Sequence, residues 1–331
     1  MKVIADENIP FLRGRLEALG AEVTYVDQFG FTPDLVRDAD ILMIRTRTRC
    51  NSALLEGSKV KLVATATIGT DQIDMEWCRD AGIIVRNAPG CNAPGVAQYV
   101  WSSLLRLGFD PGRHTLGIVG CGNVGKIVRQ WGETMGTHII INDPPLQHMG
   151  ILDTYAPLDE LLAECDAVTL HTPLTKTGRY PSYHLIGDAE LSLMKDNAIM
   201  VNAARGPVVD NAALRDHLVS GRLRAVIDTW EFEPRVDTDI LDMVEYGTFH
   251  IAGYSLQGKQ RATRMALEAV EEVFGIEINK EGLEPPYMAD PDISAERIVE
   301  SYDPIYDTLA LREAPEAFDR LRHDYNFRNE P

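Results

Sequence analysis

Three glycines in the middle of the sequence have the spacing of a dinucleotide-binding turn. They follow the apolar, strand-like run 115–120 and open a helical pattern, which is the context that such a turn requires. The first glycine of such a turn permits a tight bend, the second lets the backbone approach a pyrophosphate, and the third allows close helix–strand packing. The helix N-terminus would add free N–H groups and a positive dipole. The candidate residues are Gly120, Gly122, Asn123, Val124 and Gly125.

An acidic residue stands where such a site would bind a ribose. Asp143 ends the next strand-like run, 137–142, about 20 positions after the glycine turn. A carboxylate at this point accepts hydrogen bonds from the adenosine ribose and repels a 2′-phosphate. Pro144 and Pro145 follow it, with no Arg or Lys beside them. The sequence therefore predicts NAD, rather than NADP, as the cofactor.

Three side chains of the second half could oxidise an alcohol beside this cofactor. Arg205, Glu233 and His250 each lie just beyond a strand-like segment. Histidine is the natural general base near neutral pH, and it needs a neighbouring group to orient it. Arginine is the side chain best suited to fix a substrate carboxylate. Together they are typical of a dehydrogenase acting on a hydroxy acid.

Alternating strand-like and helical patterns would position these residues. The strand-like runs are 2–6, 22–26, 40–45, 61–66, 83–86, 115–120, 137–142, 167–170, 198–203 and 224–229. The helical patterns between them lie near 10–19, 71–81, 94–107, 123–135, 158–164, 188–195 and 210–220. This alternation predicts βαβ units, and runs that are almost entirely apolar suit parallel strands covered on both faces. The fold class is therefore α/β, with two Rossmann-like, doubly wound parallel-sheet domains and a small C-terminal module.

Further candidates for cofactor contacts follow two of these strands. Ligands of open α/β sheets bind at the carboxyl ends of the strands. His171, Thr172 and Pro173 follow the run 167–170, and Ala203 and Arg205 stand at the end of the run 198–203. We expect all five to lie near the nicotinamide cofactor. No pattern of metal ligands occurs beside them, so no metal is expected.

The order of the segments predicts how the domains are divided. The helical pattern 94–108 separates the two groups of strands, and the amphipathic stretch 256–275 could return the chain to the first domain. We therefore predict a substrate domain of residues 1–94 plus 256–275 and an NAD-binding domain of residues 95–255. Residues 276–331 form a third segment, the tail. Its apolar side chains need burial, and a partner subunit is one place where they could be buried. They are Tyr302, Ile305, Tyr306, Leu309, Leu311, Phe318, Leu321 and Tyr325.

Composition excludes several other classes of protein. The 331 residues carry 32 Lys and Arg against 50 Asp and Glu, a net charge of −18. A surface this acidic repels nucleic acid and anionic lipid. The five cysteines have no paired spacing, which favours reduced thiols in a cytoplasmic protein. We find neither the apolar run of a signal peptide nor one of about 18 residues that could span a membrane.

Several blocks resemble the signatures of the D-2-hydroxyacid dehydrogenase family. They are NAARG (202–206), IDTWEFEP (227–234) and HIAGYS (250–255). The resemblance implies that Arg205 binds the substrate carboxylate, that His250 is the acid/base and that Glu233 pairs with it. It also implies that Asp228 and Gly253 lie on the nicotinamide side of the site.

A narrower resemblance within this family implies a phosphorylated hydroxy-acid substrate. It is carried by blocks across residues 1–275, among them TATIGTDQID (65–74) and APGCNAPG (88–95). The arginine-rich run 45–49 follows a predicted strand and could bind the phosphate through its arginines or, on the opposite face of an extended chain, through its threonines. The candidate substrate ligands are Arg45 and Thr46, favoured by the resemblance, together with Thr67 and Tyr254.

The tail resembles the family's dimerisation region, which implies a homodimer. The block that carries this resemblance is FDRLRHDYNFR (318–328), and in a dimer we expect Arg328 to reach the partner's site. The chain ends sooner after Arg328 than the resemblance implies. Two alternatives remain open. One is a relative acting on another 2-hydroxy acid such as 3-phosphoglycerate, and the other is an NAD(H)-sensing binding protein.

Overall fold

The computed structural model describes residues 1–151 and 154–331 and divides the chain into two compact units. Unit 1 contains Met1–Asn92 and Ser255–Met288, and unit 2 contains Ala93–Tyr254 and Ala289–Pro331. The strands are β1 Lys2–Asp6, β2 Glu22–Val26, β3 Ile41–Ile44, β4 Leu62–Thr65, β5 Ile84–Arg86, β6 Thr115–Val119, β7 His138–Asn142, β8 Ala167–Leu170, β9 Ile199–Asn202, β10 Arg224–Ile227 and β11 Tyr246–Gly247.

The helices connect these strands and form the tail. They are α1 Pro33–Val36, α2 Ser52–Leu55, α3 Met75–Asp80, α4 Ala93–Arg106, α5 Asn123–Thr134, α6 Pro144–His148, α7 Leu158–Glu164, α8 Asp188–Leu193, α9 Asn211–Val219, α10 Thr238–Met243, α11 Leu256–Phe274, α12 Ala295–Ser301, α13 Pro304–Glu313 and α14 Phe318–His323. Short 3₁₀ turns occur at Glu17–Leu19, Gly206–Val208 and Pro315–Ala317. No helix among the described residues is long and apolar enough to cross a membrane.

Each unit is built on a parallel sheet. In unit 1 the strand order is β2-β1-β3-β4-β5, and in unit 2 it is β11-β10-β9-β8-β6-β7. All pairs are parallel, and β3, β4, β8 and β9 are buried along their whole length. Such burial explains why their sequences are continuous apolar runs rather than alternating ones. The predicted α/β class with two parallel-sheet domains is confirmed.

The chain forms the predicted strands but differs from the predicted helices in one place. The pattern near 10–19 is not an α-helix, since Phe11 and Gly14 take positive φ angles of 62° and 86° and only Glu17–Leu19 closes a 3₁₀ turn. The left-handed region interrupts a right-handed helix, and it is strained for a phenylalanine. In the tail, α13 ends at Glu313 and α14 begins at Phe318, with a 3₁₀ turn between them.

The tail is not a separate unit, which differs from the predicted third module. Residues up to Met288 belong to unit 1, where Ile278 and Leu283 join the core beside α11. Residues from Ala289 onward belong to unit 2, where Leu311 and Phe318 are buried in its main core. Burial of two such side chains stabilises the docked tail by roughly 2–3 kcal/mol each.

Candidate active site

The sequence-predicted residues of unit 2 lie along one edge of its sheet. Because all six strands are parallel, their carboxyl ends share that edge, and pairing puts Val119 beside Leu170, and Asn202 beside Ile227. The residues that follow the strands therefore line up in sheet order. They are Asp143 after β7, Gly120 after β6, His171 after β8, Ala203 after β9, Asp228 after β10 and Thr248 after β11. A ligand laid along this edge meets all of them.

The glycine turn between β6 and α5 is closely packed at two of its three glycines. Gly120 takes a φ of 91°, and a Cβ there would lie 2.9 Å from the carbonyl carbon of His171. A Cβ on Gly125 would lie 2.2 Å from the carbonyl oxygen of Gly120, so helix and strand could not approach as they do. At Gly122 a Cβ would meet nothing within 4 Å. The turn thus leaves open space at the glycine that a pyrophosphate approaches.

Both carboxylate oxygens of Asp143 accept hydrogen bonds from backbone N–H groups. Its Oδ2 accepts a hydrogen bond of 2.8 Å from the N–H of Cys121 in the glycine turn, and its Oδ1 accepts one of 3.0 Å from Leu146 as the N-cap of α6. These bonds fix the carboxylate at the end of β7. A carboxylate has about four acceptor positions, so capacity remains for the hydroxyls of a ribose.

His171 and Thr172 contribute buried polar atoms to the same edge. Burial lowers the pKa of His171 to about 3, so its ring is neutral, and its Nε2 lies 3.1 Å from the hydroxyl oxygen of Thr169. The hydroxyl of Thr172 is buried and has no hydrogen-bond partner among residues 1–151 and 154–331. An orphaned buried hydroxyl costs about 1–3 kcal/mol, which a bound polar group would relieve. Pro173 follows it and is exposed.

Asp228 organises the loop that carries the predicted base. Its Oδ1 accepts hydrogen bonds of 2.7 Å from the Thr248 hydroxyl and from the N–H of Ile251, and its Oδ2 accepts one of 3.0 Å from Ala252. The carboxylate is 1% exposed. The hydroxyl of Tyr99 lies 2.8 Å from that of Thr248 and extends the network into α4. Asp228 therefore fixes the two backbone N–H groups that directly follow His250.

His250 and Glu233 form the predicted pair. The Nδ1 atom of His250 lies 2.7 Å from Oε1 of Glu233, and both side chains are partly exposed. Burial acts to raise the pKa of Glu233, but the charge and hydrogen bond of His250, with a backbone bond from Trp230, lower it below its usual value. Because an ionised carboxylate only accepts, Nδ1 carries the proton and Nε2 is the nitrogen that can take one. The pair has the geometry of an oriented general base.

The turn that carries Arg205 is locked against the Glu233 segment. The side chain of Asn202 bonds the backbone at both Ala204 and Arg205, at 3.2 and 3.1 Å. A Cβ on Gly206 would lie 2.0 Å from the carbonyl of Trp230, so only glycine fits where the two segments meet. The guanidinium of Arg205 donates to the carbonyl of Ala204 at 2.8 Å and is partly exposed.

The substrate ligands predicted in unit 1 follow two neighbouring strands. Arg45 comes directly after β3, and its carbonyl accepts a hydrogen bond of 2.9 Å from the side chain of Gln72. Thr67 comes two residues after β4, and its hydroxyl lies 2.6 Å from that of Thr65. Because β3 and β4 are adjacent and parallel, Arg45 and Thr67 lie at the same edge of this sheet.

The arginine-rich run does not present its threonines on one face, which differs from the extended chain considered above. The chain bends after Arg45, and Thr46 is exposed. Thr48 is buried, 3% exposed, and its hydroxyl donates to the carbonyl of Gln28 at 3.2 Å. A phosphate could not use both hydroxyls, because one of them already serves the fold.

Arg328 forms hydrogen bonds within its own chain, and its expected approach to a partner's site stays a prediction. Its guanidinium donates to the carbonyl of Ile251 at 3.0 Å and also to that of Ala252. Tyr254, the last residue of unit 2 before α11, packs its ring against those of Tyr325 and Phe327, with centroids 6.1 Å apart in both pairs. Gly253 lies in the turn between Ala252 and Tyr254 and is partly buried.

Sequence reasoning missed the polar residues that support the His250 loop. Thr248 and Tyr99 are a buried hydroxyl pair from segments far apart in the chain, and no motif marks either. Arg322 donates to the carbonyl of His250 at 3.2 Å from α14. Only the dense basic residues of the tail hint at the last contact, and nothing in the sequence says what they face.

The geometry of unit 2 suits a bound dinucleotide. The open space at Gly122, the orphaned hydroxyl of Thr172 and the fixed carboxylate of Asp143 lie at adjacent strand ends. They match what a pyrophosphate, a nicotinamide-side polar group and a ribose require. The His250–Glu233 pair follows β11 at the same edge.

Comparison with known proteins agrees with this geometry. Residues 85–252 match the model of the D-isomer specific 2-hydroxyacid dehydrogenase NAD-binding domain. Two similar solved structures are a D-lactate dehydrogenase from Aquifex aeolicus with NAD and lactic acid, and an NAD⁺-bound 3-phosphoglycerate dehydrogenase from Entamoeba histolytica. They have TM-scores of 0.67 and 0.69 and identities of 26% and 25%, and each match covers 83% of this chain and 96% of the other.

Curated relatives narrow the family. The chain is 45% identical to an erythronate-4-phosphate dehydrogenase of Bacteroides fragilis, covering 100% of this chain and 97% of that protein. It is 42% identical to the enzyme of the same name from Bacteroides thetaiotaomicron, with the same coverage, and 40% identical to that from Porphyromonas gingivalis, covering 98% and 92%. The chain is an NAD-dependent oxidoreductase that belongs to the erythronate-4-phosphate dehydrogenase family of D-2-hydroxyacid dehydrogenases.

Proposed function

We propose that the protein oxidises the C2 hydroxyl of 4-phospho-D-erythronate with NAD. The product is the 2-oxo acid 2-oxo-3-hydroxy-4-phosphobutanoate, an intermediate of pyridoxal 5′-phosphate (vitamin B6) biosynthesis. The observation that carries this proposal is the 2.7 Å contact between His250 and Glu233 on a fold that binds NAD. The names of the relatives, at 40–45% identity along almost the whole chain, support the choice of substrate.

Each residue of the pair has a separate task in this reaction. Nε2 of His250 takes the proton of the C2 hydroxyl as the alcohol becomes a ketone. Glu233 keeps Nδ1 protonated and stabilises the positive charge that then develops on the ring. Arg205 holds the substrate carboxylate and so directs C2 toward the nicotinamide. When bound, NAD supplies the acceptor for the hydride of C2.

The cofactor contacts follow from the edge of the unit 2 sheet. The glycine turn and the N-terminus of α5 hold the pyrophosphate, and Asp143 holds the adenosine ribose. The remaining contacts come from strand ends. They are His171, Thr172, Pro173, Ala203, Arg205, Asp228 and Gly253. The open Gly122 and the orphaned Thr172 hydroxyl support this assignment.

The phosphate of the substrate requires its own cation, since the chain as a whole carries a charge of −18. We assign this contact to Arg45 and Thr46, with the hydroxyls of Thr67 and Tyr254 as further substrate ligands. Arg45→Ala should lower kcat/KM about 100-fold on a phosphorylated substrate, as expected for a lost bond between charged groups. It should have little effect on the unphosphorylated analogue. Arg37→Ala, an exposed arginine paired with Asp34, is the matched control.

The test of the whole proposal is a turnover assay. Purified protein would be mixed with 4-phospho-D-erythronate, NAD and a 2-oxo acid acceptor while nicotinamide absorbance and product are followed. We expect turnover in the wild type that is lost in His250→Asn. No turnover with tight NAD binding would favour another phosphorylated hydroxy acid, such as 3-phosphoglycerate. Failure with those substrates as well would favour an NAD(H)-sensing binding protein.

We also propose that the chain is a homodimer through the tail. Tyr306 and Leu309 lie three residues apart on α13 and expose 73% and 53% of their surfaces. Single exposed apolar residues are ordinary, but adjacent ones on a docked helix suit a subunit contact. Light scattering should give twice the 36.8 kDa chain mass, and Tyr306→Lys with Leu309→Glu should give the chain mass. A wild-type monomer would reject the proposal.

We infer a cytoplasmic location from the cysteines. All five are buried free thiols, and burial raises the pKa of Cys50 and Cys165 to about 12. Thiols that are never paired are typical of a reducing compartment. Fractionation of the native host should recover the protein with a cytoplasmic marker, and recovery from a secreted fraction would contradict this inference.

A further inference from the structure

The two residues that follow the proposed base, Ile251 and Ala252, are held through both their N–H groups and their carbonyls. The N–H groups of Ile251 and Ala252 donate to the carboxylate of Asp228, at 2.7 and 3.0 Å. The carbonyls of the same two residues accept from the guanidinium of Arg328, which comes from the end of the tail. An anion therefore binds the donors of this loop and a cation binds its acceptors. Both contacts are charge-assisted and stronger than neutral hydrogen bonds.

Arg328 is itself fixed by groups of unit 2. Its Nε donates to the side-chain oxygen of Gln98 at 2.8 Å, and a terminal nitrogen donates to the carbonyl of Gly95 at 3.0 Å. Its guanidinium carbon lies 4.2 Å from the centre of the Tyr302 ring. A planar fork with five donors can reach both the loop and α4.

The loop needs support because His250 is strained. Its φ is 60°, in the left-handed region, where a residue other than glycine costs of order 1–3 kcal/mol. Such a conformation persists only where surrounding contacts hold it. A second tail arginine, Arg322, donates to the carbonyl of His250 itself at 3.2 Å. Tail contacts thus act on three consecutive carbonyls that begin at the strained residue.

We propose that the C-terminal tail positions the catalytic base, with Arg328 and Arg322 as positioning residues that keep the His250 ring on Glu233. The inference rests on the proposed role of His250. It goes beyond a merely structural tail, because it predicts loss of kcat rather than loss of fold or of cofactor affinity. Misplacement of a reacting group by about 1 Å can cost about 100-fold in rate.

Arg328→Met tests this inference, because methionine keeps the apolar stem and removes all five donors. We expect kcat to fall between about 10- and 100-fold, while the Kd for NADH stays within about twofold. Arg328→Lys, which keeps the charge but cannot bridge the loop and Gln98, should recover part of the loss. Arg312→Met is the matched control. That tail arginine also donates to backbone carbonyls, those of Leu241 and Val244, at the end of α10.

The outcomes separate the two roles. The inference is overturned if folded Arg328→Met keeps the wild-type kcat, or if Arg312→Met lowers kcat as much. Where Arg328→Met fails to fold, Arg328→Lys decides, and an unchanged kcat in that variant rejects the inference. Turnover by His250→Asn would reject the base assignment together with the positioning of that base. A dead His250→Asn beside an active Arg328→Met would reject the positioning alone.

Discussion

Replacing Asp228 by asparagine should uncouple the His250 loop from the sheet. The substituted side chain keeps one carbonyl oxygen, which can still accept from Thr248 and Ile251. Its NH2 group then faces the N–H of Ala252. In the wild type, that N–H donates to a carboxylate oxygen of Asp228 at 3.0 Å. Two donors would meet in a site that is 1% exposed, where water cannot readily replace the lost acceptor.

The magnitude follows from these three bonds. Losing one charge-assisted bond and leaving its donor unsatisfied costs about 1.5–3 kcal/mol. The other two weaken from charged to neutral, which adds about 1 kcal/mol. A total of about 2.5–4 kcal/mol lowers Tm by roughly 5–16 °C for a unit of this size. Because the loop carries His250, we also expect kcat to fall between about 10- and 100-fold.

The assay compares Tm, kcat and the NADH Kd of Asp228→Asn with those of Thr248→Val. The valine variant removes the hydroxyl that joins Tyr99 to Asp228, so it also loses stability, but both backbone bonds of the loop remain. Its kcat should stay within about threefold of the wild type. Equal loss of kcat in both variants would refute the loop argument. Because Asp228 is also assigned to the cofactor, Asp228→Asn should weaken NADH binding as well, whereas Thr248→Val should leave the NADH Kd unchanged.

Three other predictions concern the cofactor edge. Asp143→Ala should weaken NAD binding at least 10-fold, because a hydrogen bond between the ribose and a carboxylate is worth about 1.5–3 kcal/mol. It should also reduce the enzyme's preference for NAD over NADP, and an unchanged ratio of the NAD and NADP Kd values in titrations would contradict this. Gly125→Ala should lower the free energy of unfolding by about 1–3 kcal/mol in urea, because its methyl would lie 2.2 Å from the Gly120 carbonyl. His171 stays neutral when folded, with a pKa of about 3. It therefore adds stability above its unfolded pKa of about 6.5 that is lost as pH falls below it, by at most about 1.4 kcal/mol per pH unit. His171→Gln should flatten that slope in unfolding curves between pH 7 and 5, and identical slopes would contradict the assignment.

The strands could be predicted because their signal is local. Most of the ten predicted runs are largely apolar, and those of β3, β4, β8 and β9 are buried along their whole length, so their own composition reveals them. The edge strands β2 and β5 contain no fully buried residue, and only their apolar and β-branched residues indicate a strand. The short elements could not be recognised in this way. β11 is only Tyr246–Gly247. The helices α2 and α10 have four and six residues, and each begins at one capping residue, Asn51 and Asp237. A cap is a weak signal when no apolar period follows it.

The candidate site divides along the same line. His250, Glu233 and the glycine turn lie in blocks whose residues do their work near one another in the chain, at strand ends that a parallel sheet brings to one edge. The support of the His250 loop depends instead on pairs that are far apart, such as Arg322 with the His250 carbonyl and Tyr99 with Thr248. No spacing rule connects these pairs, since only the packed core decides which segments meet.

The tail illustrates why burial alone does not identify a partner. Its apolar residues require a cover, but composition cannot distinguish a second subunit from the same chain. Leu311 and Phe318 are buried in the core of unit 2, and Arg328 turns inward to the His250 loop. Tyr306 and Leu309 remain exposed. One short segment can therefore support the base from within while offering its outer face to a second subunit, and substitutions on these two faces should separate activity from assembly.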